Sequence, residues 1–376
     1  MRLLSLIVLI AWILALGRTI LNLRLVPRLR VRQPRAFPLV SVIIPARDEE
    51  RDIERSVRAM LAQTYPALEV IVVNDRSTDG TGAILERLAS EDGRLVVLSG
   101  SEPPPGWLGK PAALHQGSLR ARGELLLFVD ADVVYAPDAV AAAVAYIEER
   151  GAPMITLLPH FEMRGFWEHV AMPNLPLFGF TMIPLWLVNR TRTPFLGLGG
   201  GAGNLVRRED YVTAGGHEAL KAAVVDDVGL GRLFRSRGFR TEVVLANELV
   251  SVRMYHGLGE IVRGFTKNMF SVLGRSYGLA LVFLVLGAIF HLLPYALALT
   301  GDRIAIATVL VIALTRSILF LALRCFRLDN ALLGQPLMVG VWGWILLRSL
   351  WFTGIRRRLE WRGRRYDASR TRFGAD

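Results

Sequence analysis

The chain has 376 residues, a net charge of +12, a hydrophobic fraction of 52% and a single cysteine. One cysteine excludes a disulfide framework and a cysteine-rich zinc site, and the six histidines form no H-x-x-x-H pair. The basic excess does not point to nucleic acid: many arginines flank apolar segments or sit in the tail RRRLEWRGRRYDASRTR, and no nucleic-acid-binding module is present, so an anionic lipid surface is the expected partner.

Residues 3–17, LLSLIVLIAWILALG, carry no charge. Six arginines follow between Arg18 and Arg35, against Arg2 alone before the stretch. By the positive-inside rule that asymmetry keeps the following domain in the cytoplasm, so residues 1–25 are expected to be a retained anchor with Arg18 snorkelling at its inner end. A cleaved signal peptide would have to export those charges.

Residues 38–160 alternate strand and helix patterns. LVSVIIPA (39–46), LEVIVVND (68–75), RLVVLSG (94–100), ELLLFVD (124–130) and APMITLLP (152–159) read as buried strands. Between them lie helical patterns over Asp48–Ala62, over STDGTGAILERLAS with Ser77 as the expected N-cap, over PAALHQGSLRAR with Pro111 in its first turn, and over PDAVAAAVAYIEER. Such alternation predicts an α/β fold, a mostly parallel sheet with helices on both faces, and ligands in these sheets bind beyond the carboxyl ends of the strands. Arg47-Asp48-Glu49, Asn74-Asp75 and Asp130/Asp132 each fall at such an end.

In LLLFVDADVVY (125–135), Asp130 and Asp132 follow a buried strand. If that segment stays extended, residues two apart face one side, and like charges so close repel unless a cation sits between them. Two readings stand at this point: a solvated loop, or a divalent-metal site for a phosphorylated substrate. GLGGGAG (197–203) is out of register for a dinucleotide loop, because Ala202 stands where the last glycine belongs. A tight loop allowing close backbone approach to a bound substrate is expected instead. Asp226-Asp227 precedes an apolar-periodic helix, where capping carboxylates are also common.

Residues 170–189, VAMPNLPLFGFTMIPLWLVN, are uncharged but hold Pro173, Pro176 and Pro184, which argues against a straight transmembrane helix. Core and a segment lying at the membrane surface both fit, the apolar face coming from Leu177, Phe178, Phe180, Ile183 and Trp186. Further on, 276–301 and 304–323 are long enough to span a bilayer, and 330–347 is borderline. Three spans after residue 275 would place eight arginines (356 to 372) outside, so two crossings are expected. The re-entrant or interfacial candidate is 330–355.

The series VSVIIPARDEE, VVNDRSTDGT, PPGWLGKPAALHQG, LFVDADV and VVDDVGLGRLFRSRGFR, in that order, resembles inverting family 2 glycosyltransferases of the GT-A fold. The similarity runs from about residue 38 to 275 and is nearest to the membrane-bound branch associated with carotenoids and hopanoids. The resemblance implies that Pro45, Ala46, Arg47 and Glu49 line the nucleoside pocket, that Asp75 bonds the uracil or ribose, and that Lys110 lies close to the nucleotide. It further implies that Asp130 contacts the ribose or donor sugar, that Asp132 coordinates Mg²⁺ or Mn²⁺ on the diphosphate of a UDP-sugar, and that Asp227 is the general base. Two departures stand out. Asp226 replaces the usual glutamate, and Glu260 to Phe265 keeps only the arginine and a displaced aromatic of the processive Q-x-x-R-W pattern.

The expected organisation is therefore an anchor (1–25), a cytoplasmic GT-A domain (38–275), a C-terminal membrane region (276–355) and a basic tail (356–376), in a multi-pass protein of the inner membrane. The expected reaction moves one hexose, glucose by expectation, onto a hydroxyl of a terpenoid lipid. A polysaccharide or polyprenyl-phosphate transferase is the enzyme alternative, and a scaffold or transport protein with a degenerate nucleotide domain is the non-enzyme one. The sequence sets no oligomeric state.

Overall fold

A computed structural model describes residues 2–325, 328–356, 358–361, 364–367 and 371. Most of the expected basic tail, and residues 326–327, lie outside that set. The chain divides into two compact units, 27–160 with 187–254 and 370–376, and 1–26 with 161–186 and 255–369. Of the span 38–275, residues 161–186 and 255–275 therefore group with the apolar helices.

The strands in chain order are β1 (Val40–Ala46), β2 (Leu68–Asn74), β3 (Leu95–Ser99), β4 (Leu125–Phe128), β5 (Val133–Tyr135), β6 (Met154–Leu158), β7 (His160–Phe161), β8 (Asn204–Arg207), β9 (Thr241–Leu245) and β10 (Val250–Val252). Seven form one sheet in the order β3-β2-β1-β4-β8-β6-β9. Every pairing in it is parallel except those of β8, which runs antiparallel to both β4 and β6. The fold class is as expected. The strand read from APMITLLP, however, does not pair with β4, because β8 lies between them. Register levels the functional edge: Ala46 stands opposite Asn74, and Ile43 opposite Phe128. Residues 47, 75 and 130 thus leave the sheet at one place.

Burial explains why β1, β2 and β4 read as continuous apolar runs. Val42, Ile43, Ile71, Val72 and Leu127 are wholly excluded from solvent, as expected when helices cover both faces. The helix Gly109–Arg120 packs so closely that a β-carbon on Gly117 would meet Ile43 at 2.5 Å. The chain after the first helix closes the far edge of the sheet, with Leu29 N–H donating to the Leu245 carbonyl at 2.7 Å and Leu245 N–H to that of Pro27 at 2.8 Å.

In the other unit, four helices are long and apolar enough to cross a membrane: Arg2–Leu25, Tyr277–Ala298, Arg303–Ala322 and Gly334–Ile355. Trp12 Nε1 donates to the Phe290 carbonyl at 2.8 Å, and Arg316 to Gln335 Oε1 at 2.6 Å. Arg18 is engaged within the protein. Its guanidinium donates to the carbonyls of Thr181 and Met182, at 3.3 and 2.8 Å, which are left unsatisfied where the helix Asn174–Met182 ends. Asn22 Nδ2 donates to Phe180 and Ile183 carbonyls at 2.9 and 2.8 Å. The uncharged stretch is thus broken into the end of the helix Phe166–Ala171 and two further short helices, Asn174–Met182 and Leu185–Val188, with residues 180–183 and 186 bonded to the last two turns of the first helix. Leu177 and Phe180 point inwards, whereas Phe178 and Met182, four apart on one face, are each 45% exposed.

Candidate active site

At the carboxyl edge, the loop after β1 and the loop after β2 hold one another. Asp75 N–H donates to the Ala46 carbonyl at 2.8 Å, and Arg47 Nη1 to the Asp75 carbonyl at 2.7 Å. Asp48 and Arg76 both adopt left-handed backbone, φ 52° and 56°, which costs energy for residues with a β-carbon. Crossed bonds maintain it: Asp48 Oδ1 accepts from Thr78 N–H at 2.7 Å, and Asp48 N–H donates to Ser77 Oγ at 3.1 Å. Ser77 therefore does not cap the following helix, which begins at Thr81, and the helix after β1 begins only at Ile53. Glu49 N–H donates to Thr81 Oγ1 at 2.8 Å. Pro45, Ala46, Arg47, Glu49 and Asp75 are brought together here, with Asp75 buried.

Asp130 and Asp132 lie in a turn between β4 and β5, not in an extended strand; Val133 N–H donates back to the Asp130 carbonyl at 3.3 Å. Proximity therefore comes from the turn and not from strand alternation. The two carboxylates also have different surroundings. Asp130 Oδ1 meets Lys110 Nζ at 2.7 Å. Asp132 is pushed well above the usual carboxylate range, first by burial and then by the charges of Asp130 and Glu49. Among the described residues no three His, Cys, Asp or Glu side chains form a ready-made metal cage. A single carboxylate crowded by others nonetheless suits a hard divalent cation that completes its shell with phosphate oxygens.

Lys110 reaches two acids: Asp130, and Asp226 Oδ1 at 3.5 Å. Asp226 and Asp227 open the helix Asp226–Ser236. Asp227 Oδ1 accepts from Val228 N–H at 2.8 Å, a local first-turn contact. Burial, opposed by Lys110 and assisted by the charges of Asp227 and Asp130, pushes Asp226 up to about 7. Asp226 is the residue that sequence reading left out of the site. Its signals were its place beside Asp227 and its position where the resembled family carries glutamate.

The glycine-rich loop joins these halves. Gly201 carbonyl accepts from Asp130 N–H at 2.8 Å, Leu198 carbonyl from Thr156 Oγ1 at 3.2 Å, and Ala202 carbonyl from Tyr135 Oη at 2.8 Å. A β-carbon at Gly201 would collide with the Asp130 carboxylate, and one at Gly199 with the Asp227 carbonyl. Close approach is what the glycines permit, as expected, but the approaching surface is the chain's own acidic residues. Gly201→Ala should displace Asp130 from Lys110 and lower kcat/KM for the donor at least tenfold. In Gly200→Ala the new methyl meets Thr156 Cγ2 at an ordinary 3.6 Å, and kcat/KM should be nearly unchanged. Equal kinetics in the two variants would refute the steric account.

The family described as Glycosyl transferase family 2 matches residues 41–209. The 4,4'-diaponeurosporenoate glycosyltransferase of Staphylococcus aureus strain MRSA252 is 28% identical over 342 residues, 88% of this chain and 89% of that protein. Its counterpart in strain USA300 matches with the same identity and coverage. Among solved structures, a mannosyltransferase from Pyrobaculum calidifontis in complex with GDP-Man and Mn2+ superposes with a TM-score of 0.54 at 20% identity, covering 94% of this chain and 99% of that one. With its doubly covered sheet and acidic carboxyl edge, the chain is a glycosyltransferase of GT-A fold carrying a family 2 domain. Within that class it resembles the carotenoid-associated enzymes.

Proposed function

We propose that the protein transfers one sugar, with glucose as the expected hexose, from a UDP-sugar to a hydroxyl of a membrane terpenoid such as a carotenoid or hopanoid, inverting the anomeric centre. The observation that carries this reading is the meeting of Asp130, Lys110, Asp226 and Asp227 across one glycine loop. Arg47, Glu49 and Asp75 would line the nucleoside pocket, and Asp130 would orient the ribose or donor sugar. Asp132 would hold Mg²⁺ or Mn²⁺, which when bound supplies positive charge to the departing diphosphate. Asp227 would take the acceptor proton, since a hydroxyl is a poor nucleophile near neutral pH and a positioned base contributes about 10²–10⁴-fold.

Membrane placement supports the lipid acceptor. Gln335 bonds His291, Gly343 lies against Leu284, and Gly354 lies against Tyr277, so the helix ending at 355 runs antiparallel to Tyr277–His291. Its end returns to the level where residue 277 begins, which favours a tail on the side from which that helix departs. The six arginines from 18 to 35 favour the cytoplasmic face of the inner membrane for the catalytic unit. Phe178 and Met182 would lie in the headgroup boundary. Replacing both with Asp should cut transfer to lipid tenfold or more while UDP-sugar binding stays intact, because charge is costly in an apolar interface. Normal glycolipid formation by the folded double variant would return the segment to ordinary structure.

A second reading concerns the acceptor oxygen. The staphylococcal relative is named for a carboxylate, diaponeurosporenoate. A carboxylate is already ionised and needs no base, whereas Asp227 as the base would favour a hydroxyl here. The deciding experiment supplies the full-length protein in lipid nanodiscs with UDP-sugars and a panel of terpenoid alcohols and acids. Inverted glycosides of an alcohol are expected. Esters alone would move the reading to a carboxylate, and transfer only to a soluble glycan would overturn it.

A further inference from the structure

The first turn of the helix Asp226–Ser236 is held in two ways. Backbone contact fixes its position: Gly231 abuts the Leu198 carbonyl, and Gly199 abuts the Asp227 carbonyl. Leu230, Leu233 and Phe234, all buried, seat the body of the helix, so what is left to set is the direction of the side chains in its first turn. Consecutive helical side chains diverge by about 100°. Asp226 and Asp227 therefore face different directions, and turning one inwards dictates where the other points. Asp226, with its side chain 5% exposed, faces Lys110, which is also bonded to Asp130. The loop carrying Lys110 is tied to the same region, since Leu108 N–H donates to the Lys221 carbonyl at 2.7 Å.

We propose that Asp226 is a positioning residue: through Lys110 and Asp130 it locks the first turn of its helix so that Asp227 is aimed at the acceptor hydroxyl. This rests on the reading of Asp227 as the base. One ammonium thereby couples the donor side of the site to the acceptor side. The replacement of glutamate by aspartate acquires a physical meaning. At 3.5 Å the shorter side chain makes an ion pair but not a short hydrogen bond, and a longer one would close the gap.

The test compares Asp226→Asn, Asp226→Glu and Asp227→Asn in the full-length protein with UDP-glucose and the lipid acceptor, with thermal melts establishing folding. Asp226→Asn should lower kcat about 10- to 100-fold, the scale of a misplacement near 1 Å, with donor KM unchanged within about threefold. Asp226→Glu should recover most of the loss, because the carboxylate still reaches Lys110. Wild-type kcat in folded Asp226→Asn, a rise in donor KM in place of the kcat loss, or Glu performing no better than Asn would each overturn the proposal. If Asp227→Asn is fully active, the base assignment itself fails. If Asp227→Asn is inactive while Asp226→Asn is normal, only the positioning role fails.

Discussion

Asp132→Asn should abolish transfer, remove the metal dependence of UDP binding and yet raise the melting temperature. The three effects share one cause. Desolvation first, and then the charges of Asp130, Glu49 and Asp52, hold the Asp132 carboxyl well above its ordinary range. The folded chain binds this proton more tightly than the unfolded chain does, which costs folding free energy at neutral pH. Asparagine removes that cost, and each kcal/mol relieved lifts the melting temperature of a unit this size by about 2–4 °C. The same change removes the anionic oxygen a divalent cation needs, so activity should fall at least a thousandfold. Calorimetry of UDP binding with and without Mn²⁺ checks the second effect, and a thermal melt the third. Near-native turnover in Mn²⁺ would show the metal assignment to be wrong.

Asp227→Asn should lower kcat by about two to four decades while UDP-sugar affinity stays within a few-fold of the native value. Asparagine retains an Oδ1 that accepts the Val228 N–H bond, so the helix start is preserved and the loss reports chemistry. The buried position of Asp226 beside Lys110 leaves Asp227 as the acid of the pair free to meet an acceptor. Loss of donor binding would instead make Asp227 a donor ligand. Its role as base would then pass to Asp226.

The parts that were legible in the sequence share a physical reason. β1, β2 and β4 are buried on both faces, so their apolar runs stand out, and the acids that end them mark the binding edge without any tertiary knowledge. The antiparallel β8 was not legible, because Asn204–Arg207 is four residues long and follows a glycine run that reads as loop. Asp130 and Asp132 were singled out correctly for proximity, but strand alternation was the wrong reason, since a turn provides it. The Lys110–Asp226 pair could not be read from any window, as neither residue's local pattern names a partner so far along the chain. Likewise no window shows that the carbonyls Arg18 caps belong to residues 181 and 182. Pro173 and Pro184 did report the breaks in the apolar stretch, whereas Pro176 sits in the first turn of the helix Asn174–Met182.

The most direct measurement is UDP release by the full-length protein in nanodiscs, with UDP-glucose, with and without Mn²⁺, and with and without a terpenoid alcohol in the bilayer. Release should require the metal, rise steeply when the alcohol is present, and match glycolipid formed mole for mole. Release indifferent to both, or none from folded protein across a panel of UDP-sugars and acceptors, would contradict a lipid-directed sugar transferase.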